Sequence, residues 1–526
     1  MKKALVWPLI AAMLLAGSAA FASEEPDAET SASIPADAET SATAVVDAET
    51  GASLKGQAYV DALTAASPNV TGTIDLESLN AVSGGTWSDG STPLLVGAAI
   101  RDVTPTKDND LLPMPGLGRL APDFVGVINP IHSRVIAFAM GDTRALLICT
   151  ESGKGPLGDQ FAARISEHTG IPVEAIFFTS TLSHAAPEVS RGNLTLDESP
   201  DDGNDIQWAR MTLGLICDAA DEALANMQPA EAYIGYGESY INVNTVYPYT
   251  LDEDGSTINA MGYNLAGDTD PTLVVIRFDD AAGNPIAFIV NYACHGTTMT
   301  GNSAYYGATG IDPDFCGQIS ALLEEKYDGA VAMYTAGAAG DLGPFISNQI
   351  IYPDPYTGEY VTVYASDTLL RDEVAFMQYN DIKQVLKNGM EKVDVDVVAY
   401  AEDATLLPGE DGKDGVPLSL QLLRIGDIAF IGTTGELYHS IGAYIRENST
   451  LPYTVIVDNT WNWENARTGY IPDDAGLMTY DAKGVLGLGG SPGYAVGTVN
   501  PYLSALANKL IADTEPASAS ASGDPS

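Results

Sequence analysis

Between residues 94 and 511 the sequence alternates apolar, β-branched runs with longer stretches of helical periodicity, and this alternation limits the fold more than any other feature. The runs predicted as strands are residues 94–100, 135–139, 145–149, 175–179, 272–278, 286–292, 331–335, 428–431 and 454–458. Helical spacing occurs at residues 160–168, 206–227, 314–326, 372–390, 436–447 and 502–511. Such alternation is typical of α/β proteins. Because no internal linker is visible, we predict a single large mixed α/β domain with a buried central sheet over residues 85–513.

The first residues have the features of an export signal. A basic start at residues 1–3 is followed by an apolar run at residues 4–16 and by the small-x-small cleavage site Ala20-Phe21-Ala22. We therefore predict a cleaved signal peptide at residues 1–22 and a secreted or extracytoplasmic mature chain. The alternative is an N-terminal membrane anchor, although the apolar run is short for a bilayer span.

Acidic, low-complexity sequence flanks the predicted domain. The unit Asp-Ala-Glu-Thr recurs at Asp27, Asp37 and Asp47 among Ser and Ala residues. Sequence of this kind has too little apolar mass to form a core. Residues 23–84 are therefore predicted as a linker and lead-in, and residues 514–526 as a disordered tail.

The charge of the chain argues against nucleic-acid partners. The formal net charge is −46 at pH 7, and the sequence shows no basic patch. Phosphate binding requires clustered Lys and Arg, so we predict no nucleic-acid partner. No later apolar stretch is long enough to cross a bilayer, so we predict no transmembrane segment in the mature chain.

The four cysteines allow more than one redox state. Export permits disulfides, and Cys294–Cys316 is the pair predicted as a candidate disulfide. Cys149 ends an apolar run and Cys217 lies in a helical pattern, so both fit free thiols. No Cys-x-x-Cys pair occurs, which argues against a cysteine zinc site.

Polar residues with catalytic or metal-binding chemistry follow four of the apolar runs. His184, His295, Asp341 and Glu436 each lie on the segment after such a run. Ligands of α/β sheets bind beyond the carboxyl ends of strands, so we expect these side chains to lie together. Two histidines and a carboxylate form a plausible zinc set.

Each of these residues also has a purely structural interpretation. A lone histidine after a strand is often structural, and Asp341 can cap a turn. Glu436 fits the first turn of a helix, where the dipole favours an acid, and His439 then lies one helical turn further on. The sequence gives no reason to assign His132 or His168 to a metal.

Several short segments form an ordered series that covers most of residues 94–513. They are residues 97–105, Ile131-His132-Ser133-Arg134, Thr181-Leu182-Ser183-His184-Ala185-Ala186-Pro187, Asp268-Thr269-Asp270, His295-Gly296-Thr297-Thr298-Met299, Gly340-Asp341-Leu342-Gly343-Pro344, Gly435-Glu436-Leu437 and Gly469-Tyr470-Ile471. In order and spacing they resemble the N-terminal catalytic domain of the neutral/alkaline (non-lysosomal) ceramidase family. The resemblance implies the fold of that domain, without the immunoglobulin-like C-terminal domain of the family.

The resemblance also implies a zinc cofactor. In the family, a zinc ion held by two His, a Glu and a Tyr hydrolyses the amide bond of ceramide. His295, Glu436 and Tyr470 match three of these ligands. Leu182 stands where the family has its first histidine ligand, and His184 matches the second histidine of that motif.

Two further positions depart from the family pattern. Gly343 stands where the family has a serine, and residues 241–244 replace its arginine segment. Together with Leu182, these departures argue against ceramide as the substrate.

The sequence therefore predicts an exported, zinc-dependent hydrolase of an amide or ester bond in a small-molecule or lipid-like substrate. The predicted metal ligands are His295, Glu436 and Tyr470. The predicted catalytic residues are His184, as a general base or a substitute ligand, and Asp341, which would orient the attacking water or His184. The alternative is a non-catalytic binding protein that has kept the hydrolase fold.

Overall fold

The computed structural model describes most of the predicted domain and little of its flanks. The described residues are 81–116, 123–153, 158–188, 195–197, 203–250, 255, 257–302, 309–346, 350–353, 360–363, 366–412, 415–460, 469–478 and 493–516. The predicted signal peptide, nearly all of the predicted linker and most of the predicted tail lie outside them. Those three predictions, with the export that depends on them, stay predictions.

The helices lie close to where the periodicity placed them. Those in the described ranges are α1 (Gly158–Thr169), α2 (Asn204–Ala225), α3 (Asp314–Lys326), α4 (Thr368–Asn388), α5 (His439–Glu447), α6 (Asp474–Met478) and α7 (Val499–Asp513). Short 3-10 turns occur at Val173–Ala175 and Glu410–Gly412. None of the helices in this part of the chain is long and apolar enough to cross a membrane.

The prediction that a helix covers residues 436–447 is wrong at its start. Helix α5 begins only at His439, because residues 435–437 form a short strand instead. Glu436 is therefore not a first-turn acid, and His439 does not lie one helical turn beyond it.

The strands of the described residues are short and numerous. The first eleven are β1 (Val82–Trp87), β2 (Leu95–Asp102), β3 (Phe124–Val127), β4 (His132–Met140), β5 (Thr143–Thr150), β6 (Ile176–Ser180), β7 (Gln228–Glu238), β8 (Asn242–Thr250), β9 (Thr257–Asn264), β10 (Thr272–Asp280) and β11 (Pro285–Tyr292). The next six are β12 (Thr309–Ile311), β13 (Val331–Ala336), β14 (Leu342–Pro344), β15 (Ile350–Pro353), β16 (Tyr360–Val363) and β17 (Glu391–Val393). The last six are β18 (Val397–Leu407), β19 (Val416–Ile425), β20 (Ile428–Thr433), β21 (Gly435–Leu437), β22 (Tyr453–Val457) and β23 (Gly469–Ile471).

The largest sheet has nine strands and a mixed pattern of pairing. Its order is β13-β11-β10-β7-β2-β4-β5-β6, with β17 beside β7. The pairs β11–β13 and β5–β6 are parallel, and the pairs between them are antiparallel. Strands β6 and β13 are buried along their whole length, which explains their continuous apolar sequences.

A second sheet packs against the first. It has the order β1-β18-β19-β20-β22, and only β20–β22 is a parallel pair. Strand β18 lies against β4 and β5, and β22 lies against β11. Buried residues of both sheets, such as Phe178, Ile148 and Phe430, belong to one hydrophobic core. Helix α2 covers β2 and β4, and α7 covers β18 and β19. The predicted mixed α/β fold with a buried central sheet is therefore confirmed.

Smaller sheets build the region around the candidate site. A five-stranded sheet has the order β14-β8-β9-β15-β16, and two-stranded parallel sheets join β12 to β3 and β21 to β23. The sequence pattern predicted none of these strands.

The cysteines form no disulfide. All four are free thiols, and Cys149, Cys294 and Cys316 are buried. The candidate pair Cys294–Cys316, which the sequence left open, is therefore not bonded, although both residues lie in the same hydrophobic cluster. Burial raises the pKa of both thiols well above the ordinary value, which keeps them protonated and unreactive.

Helix α2 approaches β2 so closely that Gly97 leaves no room for a side chain. A Cβ at Gly97 would lie 2.0 Å from the carbonyl oxygen of Ala223 and 2.8 Å from the nitrogen of Met227. We expect Gly97→Ala to destabilise the protein by about 1–3 kcal/mol, because backbone atoms must move apart. Denaturant-induced unfolding measures this change.

The matched control for Gly97 is Gly214, in the interior of α2, where an added Cβ meets no described atom within 4 Å. Gly214→Ala is expected to stabilise the protein by up to about 1 kcal/mol, since alanine is the better helix former. Equal effects of the two substitutions would contradict the close packing of α2 on β2.

Candidate functional site

The candidate residues all lie just beyond the ends of buried strands. His184 follows β6, His295 follows β11, Asp341 follows β13, and Glu436 lies in β21 directly after β20. Strand β23, which pairs with β21, carries Tyr470. The structure therefore brings strand exits from both large sheets to one place, as expected from the sequence.

Backbone hydrogen bonds join these loops to one another. The His184 nitrogen donates to the Gly296 carbonyl (2.8 Å), and the His295 nitrogen donates to the Leu342 carbonyl (3.0 Å). The Gly340 nitrogen donates to the carbonyl of Leu437, the neighbour of Glu436 (2.7 Å). Each candidate side chain is thus held by main-chain contacts as well as by its own loop.

His295 and Glu436 meet side chain to side chain. The distance between His295 Nε2 and Glu436 Oε2 is 3.1 Å, and the two residues are only 6% and 4% exposed. His295 Nδ1 lies 2.7 Å from the Ala339 carbonyl oxygen and 3.1 Å from that of Leu342. Because carbonyl oxygens only accept hydrogen bonds, Nδ1 carries a proton and Nε2 is the atom that faces the carboxylate.

A proton or a cation is needed between His295 Nε2 and Glu436 Oε2, because both atoms carry lone pairs. Burial disfavours the charged imidazolium, but the hydrogen bond and negative charge of Glu436, helped by the two carbonyls, outweigh it and raise the pKa of His295. The pair therefore attracts positive charge at Nε2.

Tyr470 lies opposite Glu436 in the short parallel sheet. In the β21–β23 pairing Glu436 is in register with Tyr470, so the two side chains project on the same side. The ring centres of His295 and Tyr470 are 6.3 Å apart. His295, Glu436 and Tyr470 thus converge, although 141 residues separate the first two in sequence.

A small cleft opens beside these residues. Its lining consists of His184, Thr245, Met261, His295, Thr297, Gly340, Leu342, Gly343 and Tyr470. The rings of His184 and His295 meet edge to face, with centres 5.5 Å apart. The cleft therefore combines two imidazoles and a phenol with two hydroxyl side chains and an apolar wall.

Asp341 takes a different partner from the one predicted. Its carboxylate accepts hydrogen bonds from the main-chain nitrogen of His439 (2.8 Å), from His439 Nδ1 (2.7 Å) and from Asn244 Nδ2 (3.1 Å). It does not line the cleft. Asp341 therefore orients His439 and the start of α5, whereas the sequence prediction paired it with His184 or the attacking water.

The departures from the family pattern are visible in this region. Leu182 is 2% exposed and has a φ of 58°, in the left-handed region that non-glycine residues seldom adopt. Gly343 lines the cleft with no side chain to offer. In residues 241–244, Asn242 and Asn244 bond the carbonyl groups of nearby residues.

The donor set at His295 fits a zinc ion in its chemistry and spacing. Two ligand atoms bonded to a tetrahedral zinc at about 2.0–2.1 Å lie roughly 3.3–3.4 Å apart. The observed 3.1 Å between His295 Nε2 and Glu436 Oε2 is close to that value. The carbonyl groups that hold Nδ1 are typical partners of a metal-ligating histidine.

The set depends on Tyr470 for its third ligand. Within the described residues, no group of three or more His, Cys, Asp or Glu side chains is arranged to hold a metal ion. Leu182 supplies no replacement for the family's first histidine. His295, Glu436 and the phenol of Tyr470 are therefore the residues that would hold zinc, with His184 beside them.

Two solved structures share the fold of this chain. The crystal structure of neutral ceramidase from Pseudomonas aeruginosa matches with a TM-score of 0.56 and 16% sequence identity, over 80% of this chain and 73% of that chain. A ceramidase complexed with C2 matches with a TM-score of 0.56 and 17% identity, over 80% of this chain and 74% of that one. No protein-family model matches, and no curated protein does.

The chain therefore shares its mixed α/β fold with the solved neutral ceramidase. The resemblance inferred from its motifs is confirmed at the level of the fold, at 16% and 17% sequence identity.

Proposed function

We propose that this chain is a metal-dependent hydrolase that cleaves an amide or ester bond. The observation that carries the proposal is the contact between His295 Nε2 and Glu436 Oε2 beside a cleft that His295 lines, with Nδ1 fixed by two carbonyls. Zinc is the proposed metal, because an imidazole, a carboxylate and a phenol suit it better than magnesium or calcium, which prefer oxygen-only shells.

Zinc bound by His295, Glu436 and Tyr470 would supply the activation of water and the polarisation of a carbonyl oxygen. The protein holds His295 in one tautomer and excludes most water from the pair, since both residues are buried. His184 lines the same cleft. Its proposed role is to accept a proton from the attacking water and to deliver it to the leaving group.

The proposed substrate is a small or lipid-like amide. Met261 and Leu342 give the cleft an apolar wall, while Thr245, Thr297 and the two histidines give it a polar part. Such a mixture suits a molecule with an alkyl portion and a polar head. The likeness in fold to neutral ceramidase supports this class of substrate, and the predicted signal peptide supports an extracytoplasmic site of action.

Long-chain ceramide is expected to be a poor substrate. Leu182, Gly343 and residues 241–244 replace groups that the neutral ceramidase family uses at its site. We expect turnover below about 1 per second, the slow end of ordinary enzyme rates. Release of fatty acid from ceramide in detergent micelles measures it, with an acyl amide of short chain length as the comparison. Turnover of ceramide above that rate would contradict the expectation.

A non-catalytic binding protein is the second candidate. The observation that favours it is the pair of departures at the site: a buried leucine at the family's first ligand position and a bare glycine in the cleft. A protein of this kind would bind an amide-containing ligand in the cleft without cleaving it.

The experiment that separates the two candidates uses the mature chain and a panel of fluorogenic amides and esters. The panel is assayed after chelation and again after zinc is restored, in the wild type and in Glu436→Gln. The hydrolase proposal predicts hydrolysis that returns with zinc and falls in Glu436→Gln. Saturable binding of panel members without any hydrolysis, in both metal states, would support the binding protein.

A further inference from the structure

Asp458 directly follows β22 and lies next to the candidate site. Its carboxylate oxygen Oδ2 accepts hydrogen bonds from the main-chain nitrogens of Ala339 (3.2 Å) and Leu437 (3.0 Å). Asp458 is 1% exposed. One carboxylate oxygen therefore joins the loop after β13 to the short strand β21.

Both of these peptide neighbours belong to the candidate site. The Ala339 carbonyl accepts the proton of His295 Nδ1, at 2.7 Å. Leu437 follows Glu436 directly in β21, so the amide that donates to Asp458 is the one that joins these two residues. Asp458 is thus linked to His295 through Ala339 and to Glu436 through Leu437.

The main chain of Asp458 connects two more strand ends. Its nitrogen donates to the Ala336 carbonyl (3.0 Å) at the end of β13, and its carbonyl accepts a hydrogen bond from Thr179 Oγ1 (2.9 Å) in β6. The strand β6 leads to His184. Asp458 therefore connects β6, β13, β21 and β22, which carry or adjoin most of the candidate residues.

No ion pair among the described residues explains why the carboxyl group of Asp458 is buried. Its second oxygen, Oδ1, has no hydrogen-bond partner among the described residues. Burial raises the pKa of Asp458 well above its usual range; the amide of Ala339 opposes this and the charge of Glu436 reinforces it. Burying an acid of this kind costs stability. The structural role that the contacts of Asp458 indicate is to accept the two amide protons.

We propose that Asp458 is a positioning residue that holds the peptide groups of Ala339 and Leu437 so that His295 Nε2 and Glu436 point at each other. It touches neither the substrate cleft nor the proposed metal. Its consequence for catalysis rests on the proposed function, whereas its effect on His295 does not.

The variants separate positioning from stability. Asp458→Asn keeps one oxygen that accepts both amide protons, whereas Asp458→Ala removes the acceptor and leaves two buried N–H groups without it. Asp458→Leu removes the acceptor with little loss of volume, and serves if the alanine variant does not fold. The control is Asp279→Ala, since Asp279 is also buried with one oxygen lacking a described partner. It pairs with Arg277 at the end of β10, beside the start of β11 and away from His295.

The measurement is the exchange rate of the His295 Nδ1 proton with solvent, by NMR of zinc-free protein labelled with ¹⁵N-histidine. The signal is assigned by its absence in His295→Ala. We expect slow exchange in the wild type, Asp458→Asn and Asp279→Ala, and exchange faster by about tenfold or more in Asp458→Ala and Asp458→Leu, the effect of losing one hydrogen bond. Unchanged exchange in both acceptor-free variants would overturn the proposal, as would equal acceleration in Asp279→Ala or Asp458→Asn.

Zinc affinity and hydrolysis are measured on the same variants. If the wild type neither binds zinc nor hydrolyses any substrate, the proposed function fails while the exchange rates still decide the role of Asp458. If the wild type is active, Asp458→Ala is expected to lose activity in parallel with its faster exchange, and Asp458→Asn to retain it.

Discussion

Replacement of His295 by alanine is expected to weaken zinc binding by more than about 100-fold and to reduce hydrolysis below about 1% of the wild-type rate. His295 contacts Glu436 through Nε2, and its Nδ1 is fixed by the carbonyls of Ala339 and Leu342. Alanine removes a ligand and also leaves the buried Glu436 carboxylate without this partner. Competition with a chromophoric chelator measures the affinity, and the best amide of the substrate panel measures the rate.

The control for His295→Ala is His168→Ala. His168 is an exposed residue at the end of α1, where it contacts Asp221 at 2.9 Å. The same truncation there is expected to change neither zinc affinity nor hydrolysis. If both alanine variants behave like the wild type, His295 is not a ligand and the proposed metal site is wrong.

Replacement of Leu182 by histidine is expected to tighten zinc binding by about 10–100-fold, the change in affinity that substitutions around a metal site commonly cause. The substitution places an imidazole where the neutral ceramidase family has its first ligand. The backbone at residue 182 has a φ of 58°, a region in which histidine is several-fold more frequent than most other residues. We therefore expect Leu182→His to fold at least as well as the wild type.

The control for Leu182→His is Leu182→Asn, because asparagine also tolerates a positive φ but binds zinc poorly. The same chelator competition is applied to both variants. Zinc affinity that rises only in Leu182→His would show that residue 182 faces the metal position. Equal affinities in the wild type and both variants would show that this loop has moved away from the family's geometry.

The central strands were predictable because burial on both faces makes their sequences continuously apolar. All nine predicted runs are strands, and α3 has its predicted bounds of residues 314–326. Such strands carry their own signal, since no partner needs to be known to recognise them.

The strands that the sequence did not reveal depend on distant partners. Strand β18 interrupts its apolar residues with Glu402 and Asp403, and its long pairing with β19 supplies the missing stability. Strand β21 has three residues and exists because β23 pairs with it. This long-range pairing explains why Glu436 was assigned to a helix, which local periodicity favoured.

The meeting of His295 and Glu436 was predictable from strand exits alone, whereas the orientation of individual side chains was not. The pairing of Asp341 with His439 depends on the path of the loop between β13 and β14, which no local pattern encodes. Thr245 and Met261 reach the cleft from β8 and β9, two strands that were not predicted. Asp458, however, could have been found, because it is the polar last residue of the predicted run 454–458, close to a strand end like the other candidates.

Anomalous diffraction at the zinc edge, from crystals of the mature chain grown with zinc, tests the proposed site most directly. We predict one strong peak at bonding distance, about 2.0–2.2 Å, from His295 Nε2, a Glu436 carboxylate oxygen and the Tyr470 hydroxyl. The peak should be absent from crystals of His295→Ala grown in the same way. A well-ordered cleft with no peak at these three residues, or a peak bound only elsewhere on the molecule, would contradict this prediction.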